Sequence, residues 1–68
     1  MRYDIKAGQS DFYFVCSLPE PEDYGIIVLP SWDTTIWIAE KTKKGFKLIF
    51  GTPCPKGGGF LELTLHTP

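Results

Sequence analysis

Six short runs of apolar residues, separated by proline, glycine and charged residues, most constrain what this chain can fold into. No stretch of ten residues places apolar side chains at helical spacing without a proline, a glycine or a β-branched run intervening. Alternation with period two is typical of strands. The sequence therefore predicts a single domain over residues 1–68, a small antiparallel β-sandwich or open barrel. Its six strands are expected near residues 3–5, 12–16, 24–29, 35–40, 46–50 and 61–66.

One hairpin can be predicted in detail. Residues 35–40 and 46–50 alternate on either side of a Thr-x-x-Gly segment, and a glycine at its end suits the positive φ of a hairpin turn. We expect the two segments to pair through a turn at residues 41–45. The side chains expected on the shared buried face are Ile36, Ile38, Phe46, Leu48 and Phe50.

A chain of 68 residues is too short for a two-domain enzyme and has little core. Burial of apolar surface contributes on the order of 100 kcal/mol at about 25 cal/mol per Å². Ordering the chain costs a similar amount at roughly 1.5 kcal/mol per residue. Because these two contributions nearly cancel, we expect the domain to need a covalent staple, a partner or a parent chain. The partner that we expect is a further copy of the chain, in a homo-oligomer with a trimer favoured.

Charge and composition exclude several partner classes. The net charge is −1, so the chain has no general attraction for nucleic acid. The longest uninterrupted aliphatic run, residues 26–29, is far too short to cross a bilayer, and residues 1–9 do not have the pattern of a signal peptide. Two cysteines and one histidine cannot complete a four-ligand zinc site. We therefore expect no nucleic acid, no membrane insertion, no metal and no cofactor.

Catalysis is not expected from this sequence. His66, Asp33 and a serine could be imagined as a triad, but a histidine near the end of a strand lacks the required orientation. Lys56 precedes three glycines, yet a phosphate loop needs a following helix, and a strand-like segment follows here. Cys16 and Cys54 could form a disulfide, and two free thiols are the favoured interpretation.

Two tryptophans and a lysine-rich turn are the candidate binding features. Trp32 lies in a predicted loop where its ring could stack on a sugar, with Asp33 and Thr34 beside it for hydrogen bonds. Lys43 and Lys44 could bind an acidic ligand, or they could protect a strand edge. Packing, a subunit interface and a ligand site all stay open for the tryptophans. The residues expected at an interface between copies are Trp37, Phe12, Tyr13 and Phe14.

A longer pattern covers about half of the chain, from Tyr24 to Pro55. It resembles small β-sandwich domains of phage tail fibres and tail-tip proteins. Its order of strand, Thr-x-x-Gly-Phe turn and strand is also similar to that of H-type lectin domains. Those families usually close with a strand that holds a tryptophan, where this chain has Phe-Leu-Glu-Leu-Thr-Leu-His. The matching positions are Tyr24, Pro30, Trp32, Thr34, Thr42, Gly45, Phe46 and Pro53.

The resemblance implies a setting for the expected β domain. It suggests a non-enzymatic structural or receptor-binding module of a virion tail or cell-surface appendage, made in the cytoplasm. In this interpretation copies associate through apolar faces, while loops present Trp32, Asp33 and the lysine turn to a glycan or another cell-surface receptor. The alternative is a monomeric, lectin-like carbohydrate-binding module.

Overall fold

Six strands form over the six apolar runs, as the sequence predicts. The computed structural model describes residues 1–15, 17–18 and 20–66. Within them the chain is all-β, apart from a single turn of 3₁₀ helix at Pro21–Asp23. The strands are β1 (Arg2–Ile5), β2 (Asp11–Val15), β3 (Gly25–Pro30), β4 (Ile36–Thr42), β5 (Gly45–Phe50) and β6 (Gly59–His66).

The strands form two antiparallel sheets of three strands each. The β6 sheet has the order β1-β6-β3, and the β5 sheet has the order β2-β5-β4. Over the described residues the two sheets remain separate and do not close into a barrel. Of the two architectures that the sequence predicts, the structure thus has the open, sandwich-like one. Strands β1, β2, β3 and β4 lie at sheet edges.

The predicted hairpin of β4 and β5 is confirmed, with a shorter turn and an added bulge. Ile36 pairs with Phe50 and Ile38 pairs with Leu48. Strand β4 continues to Thr42, which pairs with Gly45 across a turn of two residues. The register shifts between Ala39 and Thr42, and Glu40 adopts a φ of 52° there. The extra residue of this bulge accounts for the longer strand.

The Thr-x-x-Gly segment forms this turn through its own hydrogen bonds. The Thr42 hydroxyl oxygen accepts a hydrogen bond from the Lys44 backbone N–H at 3.0 Å. Gly45 has a φ of 140°, and a β-carbon there would lie against the carbonyl oxygen of Phe14. Only glycine fits this close approach of strands β2 and β5. The turn motif therefore has a structural role.

The core lies between the two sheets. Leu48 of the β5 sheet and Leu61 and Leu63 of the β6 sheet are fully buried. The Tyr3 ring crosses from β1 to β2, with its centroid 5.3 Å from that of Phe12. The total surface of 4425 Å² is close to the roughly 4,300 Å² expected for a folded chain of this mass. The other buried apolar residues are Ile5, Phe14, Tyr24, Phe46, Phe50 and Cys54.

Cys54 is a free thiol in the core, beneath the connection between β5 and β6. Its Sγ donates a weak hydrogen bond to the carbonyl oxygen of Ile5 at 3.5 Å. Cys16, the other half of the disulfide that the sequence leaves open, lies outside the described residues. Cys54 thus fills space under the loop as a small apolar side chain.

Candidate functional site

Four apolar side chains lie exposed on the outer face of the β5 sheet. Tyr13 and Val15 of β2 are 58% and 81% exposed, Trp37 of β4 is 57% exposed, and Ile49 of β5 is 36% exposed. Successive side chains of a strand point to opposite faces, so these four share the face opposite the core. We call Tyr13, Val15, Trp37 and Ile49 the outer patch.

The register of the three strands sets the shape of the outer patch. Ile49 pairs with Asp11 on one side and Trp37 on the other, which makes one row across the sheet. The next row holds Tyr13, Lys47 and Ala39. Tyr13 and Trp37 therefore lie on a diagonal, with their Cα atoms about 12 Å apart given standard strand spacing.

Lys47 lies between the aromatic side chains of the outer patch. Its Nζ lies 5.1 Å from the centroid of the Tyr13 ring and 3.9 Å from Asp11 Oδ2. The Tyr13 hydroxyl, and after it the negative charges of Asp11 and Glu40, raise the pKa of the Lys47 ammonium group. Lys47 therefore stays charged at neutral pH, with its ammonium group over the Tyr13 ring and near Asp11.

The residues predicted for an interface divide between two faces of the β5 sheet. Trp37 and Tyr13 belong to the outer patch. Phe14 is only 9% exposed and stacks on Phe46 in the core, with ring centroids 5.1 Å apart, so an outward-facing Phe14 is wrong. Phe12 is half-buried on the same inner face, against Tyr3. Five apolar residues in a row hide the alternation that places Phe12 and Phe14 inward.

The residues predicted for ligand binding do not form one site. Trp32, Asp33 and Thr34 precede β4, whereas Lys43 and Lys44 follow it. A strand of this length spans about 20 Å at roughly 3.3 Å per residue. The two groups therefore lie at opposite ends of the β5 sheet.

The group before β4 mainly holds two loops together. The Trp32 ring packs edge-on against Phe50, with centroids 5.1 Å apart, and its Nε1 donates to the carbonyl oxygen of Thr52 at 2.9 Å. The Thr34 hydroxyl oxygen accepts a hydrogen bond from the Thr52 N–H, also at 2.9 Å. Asp33 is exposed beside them. Trp32 thus covers one end of the core.

The group after β4 contacts the connection between β2 and β3. Lys43 Nζ lies 2.8 Å from Glu20 Oε1, and the Lys43 carbonyl oxygen accepts a hydrogen bond from the Leu18 N–H at 2.8 Å. Lys44 is exposed at the tip. Because Lys43 already has an acidic partner within the chain, an external anion would have to displace Glu20.

The side chains of the imagined triad are far apart. His66 ends β6 and pairs with Gly25 at the start of β3. Ser31 follows the other end of β3, where its N–H donates to the Phe60 carbonyl oxygen.

Among the described residues, no group of three or more His, Cys, Asp or Glu side chains comes together as a metal site. No helix within them is long and apolar enough to cross a bilayer.

Sequence reasoning missed one feature of this region, the exposure of Ile38. Ile38 lies on the inner face of the β5 sheet, yet it is 47% exposed because β4 is an edge strand. The assignment of strands to edges depends on non-local pairing, which no local pattern reveals.

Comparison of the chain with models of protein families, with curated proteins and with solved structures gives no match. The geometry of the outer patch and of β4 is therefore the basis for a function.

Proposed function

We propose that this domain is a non-enzymatic assembly module that associates with copies of itself through the region centred on Trp37. The observation that carries the proposal is the outer patch, four exposed apolar side chains on one sheet face. Contiguous apolar patches larger than a few hundred Å² are uncommon on monomeric proteins and mark interaction sites. Interfaces are enriched in tryptophan and tyrosine, and both are present here.

The small core supports the same function. Only nine residues are buried and apolar in the described part of the chain, so a contact between copies would add apolar burial that the single chain lacks. The setting of a virion tail or surface appendage rests on the resemblance of the segment from Tyr24 to Pro55. In that setting either Asp33, exposed at one end of the β5 sheet, or Lys44, exposed at the other, would face a receptor.

The test is sedimentation equilibrium over a wide range of protein concentration. We expect masses above 7.7 kDa that increase with concentration, and a melting temperature that increases in parallel. Trp37→Ser should weaken association, and Tyr13→Ser should weaken it too if the whole outer patch lies in the contact. The matched control is Leu29→Ser, because Leu29 is 62% exposed on the outer face of the other sheet.

A mass of 7.7 kDa at all concentrations, with a melting temperature independent of concentration, would contradict the proposal. Equal weakening by Leu29→Ser and Trp37→Ser would also contradict it, since association would then not depend on the region around Trp37. Circular dichroism of each variant checks that the fold is retained.

A second function, carbohydrate binding by a monomer, is favoured by the same exposed rings. Trp37 has an exposed ring on which a sugar could stack, whereas Lys47 Nζ lies over the Tyr13 ring and Trp32 is held by Phe50 and Thr52. A glycan array with the wild-type protein and Trp37→Ser tests it. Binding lost in Trp37→Ser, by a protein of monomeric mass, would favour this function over assembly.

A further inference from the structure

Strand β4 exposes apolar side chains on both of its faces. Trp37 points outward and is 57% exposed, while Ile38 points toward the core side and is 47% exposed. Leu48, directly opposite Ile38 on β5, is completely buried. The difference between these neighbours arises because nothing described in the structure lies beyond β4 in its sheet. A further strand along β4 would cover both side chains.

The backbone of β4 has hydrogen-bonding groups available for such a strand. The Gly51 N–H donates to the Thr35 carbonyl oxygen at 2.8 Å, so position 35 faces β5. The direction of these groups alternates along an antiparallel strand, so Trp37 and Ala39 also face β5. The N–H and C=O groups of Ile36 and Ile38 therefore point to the free edge.

The first half of β4 also lacks the usual protection of an edge. Charged residues, proline and bulges block edge pairing in many proteins. Strand β3 ends in Pro30, and β1 has only four residues. In β4 the bulge at Glu40 and the charge of Lys41 protect the second half. Residues 36–39, Ile-Trp-Ile-Ala, contain none of these features.

We infer that residues 36–38 of β4 pair antiparallel with the same residues of a second copy of this chain. The inference rests on the proposed function and places its contact at the β4 edge, so the contact covers Trp37 and leaves Tyr13 and Val15 of β2 exposed. A two-fold axis at Trp37 makes each copy contribute the same surface, so the exposed Ile38 of one copy meets Ile36 of the other. The two β5 sheets then continue as one sheet of six strands.

The register follows from the free backbone groups. Ile36 of each copy lies opposite Ile38 of the other, and each such pair exchanges two hydrogen bonds. The two Trp37 residues then face each other in a pair without hydrogen bonds, where cross-strand side chains are closest. A two-fold contact closes on itself and makes a dimer, in place of the trimer that the sequence favoured.

Ile38→Lys is the sharpest test of this edge contact. A lysine at position 38 leaves the outer patch intact and places a charge where the second copy would bury Ile38. We expect the dissociation constant of the dimer to rise by about tenfold or more. The matched control is Ile27→Lys in β3, an edge strand of the other sheet, where Ile27 is 50% exposed. That variant should keep the wild-type dissociation constant.

Hydrogen exchange on the wild-type protein gives a second measurement that needs no variant. The amides of Ile36 and Ile38 should exchange about tenfold or more slowly at concentrations where the dimer forms than in the dilute monomer. The amides of Ile26 and Val28 serve as internal controls. The Ser31 N–H bonds to the Phe60 carbonyl oxygen, so by alternation these two amides face the free edge of β3. Their exchange should not depend on concentration.

The outcomes separate this inference from the proposed function. Weaker association in Trp37→Ser and Tyr13→Ser, with none in Ile38→Lys and no protection of Ile36 and Ile38, would overturn the edge contact and leave assembly through the outer face. A sharp trimer would do the same. A monomer at every concentration would overturn both. A dimer weakened by Ile38→Lys, with Ile36 and Ile38 protected, supports the inference.

Discussion

The two outer faces of this small sandwich differ in the composition of their central strands. On the β5 sheet the central strand places Ile49 outward, between Trp37 and Asp11, and exposed apolar side chains occur on all three strands. On the β6 sheet the central strand places Glu62, Thr64 and His66 outward. Exposed apolar side chains of the β6 sheet, Ile27 and Leu29, lie on its edge strand β3.

This difference teaches that a count of exposed apolar residues does not identify an interface. Ile27 and Leu29 are as exposed as Trp37, but polar side chains of β6 border them on one side. On the same face, the Arg2 guanidinium covers the Phe60 ring at 3.7 Å from its centroid. Continuity across neighbouring strands distinguishes the outer patch from scattered exposure.

The largest expected effect comes from the glycines on the outward side of each sheet. Gly45→Ala should lower the free energy of unfolding by about 4 kcal/mol, because the β-carbon meets the Phe14 carbonyl at a positive φ. Gly25→Ala should cost about 1 kcal/mol or less, since its β-carbon meets only the exposed His66 imidazole, which can rotate away. Urea denaturation measures both. Similar losses would show that the two faces tolerate added side chains equally.

Alanine substitutions of the two tryptophans are expected to differ by a smaller amount in their effect on the free energy of unfolding. Trp32→Ala should lower the free energy of unfolding by about 2 kcal/mol, through lost contact with Phe50 and the lost hydrogen bond to Thr52. Trp37→Ala, measured on dilute monomer, should change it by about 0.5 kcal/mol or less. A large loss in the second variant would mean that the outer patch stabilises the single chain.

Tyr24 connects the two sheets at the end where β3 begins. Its hydroxyl donates to the Thr42 carbonyl oxygen at 2.7 Å, so Tyr24→Phe should cost about 1 kcal/mol. Burial raises the pKa of Tyr24, so the folded state favours the neutral phenol. The resulting stabilisation of the folded state is complete below the ordinary tyrosine pKa of about 10. It is lost as pH rises from there toward the pKa of Tyr24 in the folded state.

Thermal melts from neutral to alkaline pH check the expected loss of stability caused by ionisation of Tyr24. The wild-type protein should lose stability at the alkaline end, and Tyr24→Phe should lose less. Tyr3→Phe is the matched control, because the Tyr3 hydroxyl donates to Met1 Sδ at an exposed position, away from Lys47. The same alkaline loss in all three proteins would show that Tyr24 does not cause it.

The smallest expected effects come from glycine substitutions in the bulged edge strand β4 and in the regular central strand β6 of the other sheet. Glu40→Gly should raise the free energy of unfolding by about 0.5 kcal/mol, because glycine tolerates a φ of 52° without strain. Glu62→Gly should lower it by about 1 kcal/mol, since Glu62 lies within regular strand. Loss of stability in both variants would mean that Glu40 makes contacts that outweigh its strained backbone.

The all-β fold, all six strands and the β4–β5 register could be predicted because these depend on local alternation and one turn. The turn residues Thr42 and Gly45 fix that register within a few positions of sequence. The bulge at Glu40 could not be predicted, since it shifts the alternation only at the end of β4 where Glu40, Lys41 and Thr42 are all polar and give no apolar signal. The division into two sheets depends on pairings between distant strands.

The candidate site was predicted less well for the same reason. Trp37 was placed outward from the alternation of Ile36 and Ile38, and it is exposed; Tyr13, named from the continuous run of β2, is exposed as well. Phe14 was misplaced because a continuous apolar run does not tell which side chains face the core. The separation of Trp32 from Lys43 follows from the length of β4, but the contacts of each with Thr52 and Glu20 depend on tertiary structure. Local sequence does not show which loop side chains already have a hydrogen-bond or ion-pair partner within the chain.

The pairing of β1 with β6 has a consequence for how the chain reaches this structure. The Met1 amino group donates to the Leu63 carbonyl oxygen, 62 positions away, whereas β4 and β5 meet across two residues. Closing the longer loop costs more entropy before any contact forms, so the hairpin should form early and β1 should join last. Weakening β1 should then speed unfolding and leave the folding rate nearly unchanged. Until β1 arrives, β6 has an open edge in a half-folded chain, and this interval is when the protein is most exposed to aggregation.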